Sequence, residues 1–214
     1  MKYLRVPFVS TITAATAITD VSFFLNGATR HSIDNLLWSN SGYKPNVSFA
    51  IAYTSESILL KYFVTEKYTT AVYHEINDPV FEDTCVEFFI AFGDDKNYYN
   101  LEFNRLGTPL VGYGPGKQDR TLLQNASISQ IKSLGKMASE PDAEGHIEWE
   151  LALCIPLSLF VHHHINPLTD SIGRVNFFKC GDNLPEPHFL SWSSVDSPLP
   201  DFHLPEFFGT IQFI

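Results

Sequence analysis

Phe81-Glu82-Asp83-Thr84-Cys85-Val86-Glu87-Phe88-Phe89-Ile90 is the stretch on which the reading of this chain turns. From Cys85 to Phe92 every residue except Cys85, Glu87 and Ala91 is β-branched or aromatic, the composition of a strand inside a sheet. Glu87 is the exception that needs a reason. A carboxylate with such neighbours must reach solvent, pair with a cation or meet a polar ligand, because burying it alone is strongly unfavourable. The pattern returns in Tyr98-Tyr99-Asn100-Leu101-Glu102-Phe103-Asn104, where Glu102 and Asn104 alternate with Leu101 and Phe103. A strand places those two polar side chains on one face. Adjacent strands of this kind would share a polar patch.

The surrounding sequence extends the β pattern. Residues 47–53 and 58–64 read as a hairpin closed by Thr54-Ser55-Glu56-Ser57. Further strands are expected at 98–104, 109–113, 148–155, 173–180 and 210–214, with polar or Gly/Pro-rich connectors. Short strands at this spacing predict a sandwich. Two short helices are expected in loops, one over 32–38 with Ser32 as N-cap and one after Pro156 over 157–160. The 214 residues show no internal repeat and no linker, so a single domain over 1–214 is expected.

Composition narrows the function. A 14% aromatic content with 18 Phe favours β structure, and a net charge of −10 without any Lys/Arg cluster argues against nucleic acid. A neutral ligand suits this balance better than a polyanion. Cys85, Cys154 and Cys180 have no CxxC spacing and sit in apolar runs, so buried free thiols are expected. The N-terminus has Lys2 and Arg5 but no continuous apolar run, and no segment approaches the length needed to cross a bilayer. No membrane partner is expected. The compartment read by default is cytoplasmic, or periplasmic or secreted if an upstream signal has been removed.

The order of several segments resembles the family 9 carbohydrate-binding modules, and more closely the free-standing family-9-like proteins of glycan-degrading bacteria. These segments are residues 33–38, Lys44-Pro45, 82–90, 99–104, Trp149-Glu150-Leu151 with Ile155-Pro156, 174–180, 190–193 and 202–209. The resemblance implies an all-β fold, an immunoglobulin-like β-sandwich with short helices in its loops. It also implies non-catalytic binding of a glycan end or short oligosaccharide, xylan- or cellulose-derived ligands among them. In sugar-binding members two aromatic rings hold a terminal sugar; those positions fall on Phe81 and Phe202. The implied polar partners are Glu87, Asn104 and Asn176; Glu102 and His203, the latter beside Phe202, are further candidates for ligand contact. Characterised members carry Trp at both ring positions, and arginine usually stands where this chain has Glu102. Phe covers less of a pyranose face than Trp, and a carboxylate cannot replace the guanidinium donors.

Each candidate has a structural alternative. Phe81 and Phe202 could be core residues of a Phe-rich protein, Glu87 half of an ion pair with Arg105 or Lys179, and Glu102 a partner of Arg105, Arg120 or Arg174. Asn104 could cap a turn and His203 could bond backbone. Glu87 and Glu102 together invite a glycoside hydrolase reading, xylanase-like or as an accessory subunit beside a glycan-degrading enzyme. A sandwich that binds protein through an aromatic patch is a third reading. His162-His163-His164 reads as a solvated loop, since consecutive histidines do not readily converge on one ion. No cofactor is implied with certainty. Asp182, Asp196 and Asp201 lie in loops that could hold Ca²⁺ with backbone carbonyls, as family 9 modules often do. Trp38, Trp149 and Trp192 read as core or rim packing.

Overall fold

The computed structural model describes residues 2–165 and 167–214. Its strands, in chain order, are β1 (Tyr3–Val6), β2 (Arg30–Ser32), β3 (Asn35–Leu37), β4 (Asn46–Tyr53), β5 (Ser57–Glu66), β6 (Cys85–Phe92) and β7 (Tyr98–Asn104). They continue with β8 (Pro109–Gly114), β9 (Thr121–Leu122), β10 (Lys132–Met137), β11 (Ile147–Pro156), β12 (Ile172–Cys180), β13 (Phe189–Ser191) and β14 (Gly209–Phe213). The larger sheet runs β1-β14-β12-β6-β7-β8-β9, extended by β13 on β12 and β3 on β13; the smaller runs β10-β11-β5-β4-β2. All pairings but β1 with β14 are antiparallel. The two sheets pack as a sandwich. No helix among the described residues is long and apolar enough to cross a membrane.

Strand alternation sorts β6 into two faces, and both are covered. Val86, Phe88 and Ile90 join Phe49, Tyr62, Leu101, Phe103 and Phe177 in the core between the sheets. Cys85, Phe89 and Ala91 point the other way and pack with Tyr98, Phe178, Cys180, Phe202 and Phe208 beneath loops on the outer face. Two-sided burial explains why this strand reads as a nearly continuous apolar run. Glu87 belongs to the second face, which carries the cleft described below.

One ion pair crosses the sandwich. Lys179 of β12 lies 2.9 Å from Glu66 of β5, with both side chains fully buried, and the Trp149 indole of β11 donates to Glu66 Oε1 at 2.6 Å. Lys179 also donates to Cys180 O and to His188 Nε2, each at 2.8 Å. Its charge is therefore matched within the core, and it is not the partner of Glu87.

One expectation about helices changes. Residues 32–38 are not helical: β2 and β3 occupy Arg30–Ser32 and Asn35–Leu37. Asn35 instead donates to the carbonyls of Ser191 and Trp192 and aligns β3 with β13, so tertiary pairing overrides the Ser32 cap signal. The helix that does form, α1 (Ile18–Asn26), was not expected; it lays Val21 and Leu25 on Ala50, Ala52, Leu59 and Phe63 of the smaller sheet. After Pro156 a single 3-10 turn spans Leu157–Leu159, and a four-residue helix α2 covers Asn125–Ile128. All three cysteines are free and buried.

Candidate functional site

On the outer face of the larger sheet lies a cleft of about 140 Å³. Its floor is made by strand residues: Glu87 of β6, Glu102 of β7 and Cys180 at the end of β12. Glu87 and Glu102 are direct cross-strand partners, so their carboxyl groups rise side by side from one face. Both are almost fully buried, at 3% and 2% exposure. The walls are aromatic: Trp38, Phe81, Phe189 and Phe202.

Each wall residue is fixed by its own segment. Phe81 sits in the 3-10 turn Val80–Glu82 and is half-buried. Phe202 is 8% exposed, with one ring face stacked on Phe178 at 4.1 Å, so only part of the ring is left for the cleft. Trp38 lies 5.8 Å from Phe202 and 5.9 Å from Phe189, and its indole N–H donates to Ser197 O at 2.7 Å. It holds a left-handed backbone with φ of 47°, a conformation that costs a bulky residue about 1–3 kcal/mol. Surrounding contacts impose that geometry, and it brings the large ring to the rim.

Electrostatics splits the two carboxyl groups. Burial, followed by the neighbouring Glu102 charge, pushes Glu87 well above the usual carboxylate range; Cys180 Sγ donates to its Oε1 at 3.1 Å. Burial also raises Glu102, but Arg120 opposes it: Nη1 donates to Glu102 Oε1 at 3.0 Å, and Asn100 donates to the same oxygen at 2.9 Å. Arg120 Nη1 also lies 3.1 Å from His203 Nε2. Since guanidinium can only donate, that nitrogen accepts, and the His203 proton sits on Nδ1, 2.7 Å from the Tyr98 hydroxyl. Burial and the charges of Arg120 and Lys117 hold His203 down at about 3, consistent with a neutral ring.

The cleft therefore gathers Phe81, Glu87, Glu102, Phe202 and His203. Asn104 and Asn176 are fully buried outside its lining. Asn104 donates to Tyr73 O and Asp83 Oδ2 and accepts from the N–H groups of Leu106 and Thr108, closing the turn after β7. Asn176 bonds the backbone of Ser193 in both directions and so anchors the loop that leads to Phe202. Residues that sequence reasoning did not place here are Trp38, Lys117, Arg120, Cys180 and Phe189. Arg120 was one of three candidate partners for Glu102, and its position restores a guanidinium to the site from the loop before β9.

Asp182 and Asp201 also line the cleft, while Asp196 lies exposed on a loop. Among the described residues these carboxylates do not converge; the group that does is Cys85, Glu87 and Cys180. His162 stacks on Tyr113 at 4.2 Å and His163 lies 3.2 Å from Asp95, so that loop is docked on the sheet edge, not simply solvated.

Comparison with known proteins gives a consistent picture. A family model described as carbohydrate-binding family 9 matches residues 19–213. A candidate carbohydrate-binding protein of Bacteroides uniformis is 38% identical, with a TM-score of 0.90, over 100% of this chain and 99% of its own. A family 9 module of Caldicellulosiruptor kristjanssonii solved with glucose shares 12% identity and a TM-score of 0.61, over 100% and 96% of the two chains. The same organism's module with cellotriose shares 13% and 0.60, over 99% and 93%. No curated protein sequence matches the chain.

Proposed function

Because this chain belongs to carbohydrate-binding family 9, we propose that the cleft binds a carbohydrate, a glycan end or an oligosaccharide of a few units, and that residues 1–214 act as one binding module. The observation that carries this reading is the pairing of aromatic walls with a hydrogen-bonding floor in one open cleft. Trp38 and Phe81 offer ring faces to a pyranose, and Phe202 and Phe189 extend the apolar wall. Glu87 and Glu102 present carboxyl oxygens and Arg120 and Lys117 donate, a set matched to sugar hydroxyls. Glucose and cellotriose in the Caldicellulosiruptor modules set the size of ligand to try first. A place beside a glycan-degrading enzyme fits the same role.

The test is calorimetric titration with cello- and xylo-oligosaccharides, with reducing-sugar release followed in parallel. Wild type is expected to bind without turnover, and Trp38→Ala and Phe81→Ala each to bind about tenfold more weakly, the equivalent of losing roughly 1.4 kcal/mol. Equal affinity in wild type and both variants would remove this cleft as the site. Steady sugar release would replace binding with hydrolysis.

A further inference from the structure

The floor of the cleft holds a side-chain group that sugar recognition does not explain. Cys85 and Cys180 are direct partners across β6 and β12, and Glu87, two residues along β6 from Cys85, leaves the same face. Two Sγ atoms and one carboxylate oxygen lie within 4.8 Å of one another, with Cys180 Sγ 3.1 Å from Glu87 Oε1. All three residues are buried, and both thiols are free. Two sulfurs with one oxygen is a donor set for borderline and soft metals, whereas Ca²⁺ and Mg²⁺ take oxygen alone.

We propose that Cys85, Cys180 and Glu87 form a site for a thiophilic divalent cation of the Zn²⁺ class, open on the side that faces the cleft. Cys180 and Glu87 line the cleft, which provides the entry path, while Cys85 closes the site from below. Both strands are interior to the larger sheet, so the three donors sit on rigid backbone. Asp182 lines the cleft with Cys180 and Glu87, and with water it is a candidate for the remaining position. Binding exchanges protons for metal: the cation forms two bonds to sulfur and one to carboxylate oxygen, and the protons displaced from these ligands pass to solvent. No electron transfer is involved.

The experiment titrates the reduced full-length protein with Cd²⁺, without sugar, and follows the ultraviolet thiolate-to-cadmium charge-transfer band. One equivalent is expected to saturate the band, and Zn²⁺ to displace it. Cys85→Ser and Cys180→Ser should each abolish the band and Cys154→Ser should leave it intact, because Cys154 lies in the other sheet. Glu87→Gln, which keeps shape and both thiols, should weaken Cd²⁺ binding by at least about tenfold. A reduced wild type with no band, or a band that survives loss of Cys85 or Cys180, overturns the site. Unchanged affinity in Glu87→Gln removes the carboxylate from it. Because no sugar is present, the outcome is independent of the carbohydrate reading.

Discussion

Arg120 reaches Glu102 and His203 from a single guanidinium nitrogen, and much of the cleft's chemistry follows from that reach. With it in place, Glu102 has at 2% exposure a cation 3.0 Å away that favours its charged form, and His203 keeps its Nδ1 proton toward Tyr98. Without it, a buried carboxylate stands uncompensated beside Glu87. Arg120→Ala is therefore expected to destabilise the protein by about 3–5 kcal/mol in urea unfolding, and Glu102→Gln in the same background to recover part of that loss. If Arg120→Ala unfolds at the wild-type midpoint, the pair contributes nothing to stability. Lysine at this position would keep the charge but not the guanidinium's planar donor geometry.

The element that delivers Arg120 is the turn from β8 into β9, and it depends on two glycines. A Cβ on Gly114 would stand 2.6 Å from Arg120 Cα and 2.7 Å from Asp119 O, and one on Gly112 would stand 2.7 Å from Asn100 Oδ1 and 3.1 Å from Arg120 Cδ. The returning chain lies directly on β8 because nothing projects there. Gly114→Ala should displace the Arg120 backbone, cost about 1–3 kcal/mol and weaken oligosaccharide binding, while Gly116→Ala, with open space around it, should do neither. Calorimetry on the two variants compares them directly. This delivery was not legible in the sequence. Period-two alternation exposed β6 and β7 because their polar residues interrupt apolar runs, but Arg120 lies in a polar loop whose partner is set only by the fold. Helix α1 was hidden for a related reason: Phe23 and Phe24 are exposed beside the inward Val21 and Leu25, which blurs the apolar stripe.

At the scale of the whole molecule, the sandwich holds a buried histidine, a part-buried one and a buried ion pair. His188 is held down at about 3 by burial and by Lys179, which donates to its Nε2, while Nδ1 faces Glu186 O at 3.0 Å. His203 is held equally low. Each therefore contributes stability that is present above about pH 6.5 and lost as pH falls toward about 3, since the unfolded chain takes up the proton first. The Glu87 carboxyl works in the opposite sense: its stability is full below its ordinary value and declines as pH rises through its elevated folded value. A urea-midpoint profile should fall on the acid side by at most about 1.4 kcal/mol per pH unit for each histidine, and His203→Gln should make that limb shallower. An unchanged limb would mean His203 is protonated in the folded protein. The sandwich and its acidic strands were readable because burial leaves a composition signature. The buried pairing of Lys179 with Glu66 was not, because the two lie on different sheets and far apart in sequence.

Trp38 has a practical consequence. The other two indoles, Trp149 and Trp192, are 1% and 3% exposed, whereas Trp38 stands at the cleft beside the rings of Phe189 and Phe202. The protein thus carries a built-in optical reporter: quenching by a dissolved ion samples chiefly one emitter, and whatever fills the cleft announces itself as a change in the colour and brightness of that emission.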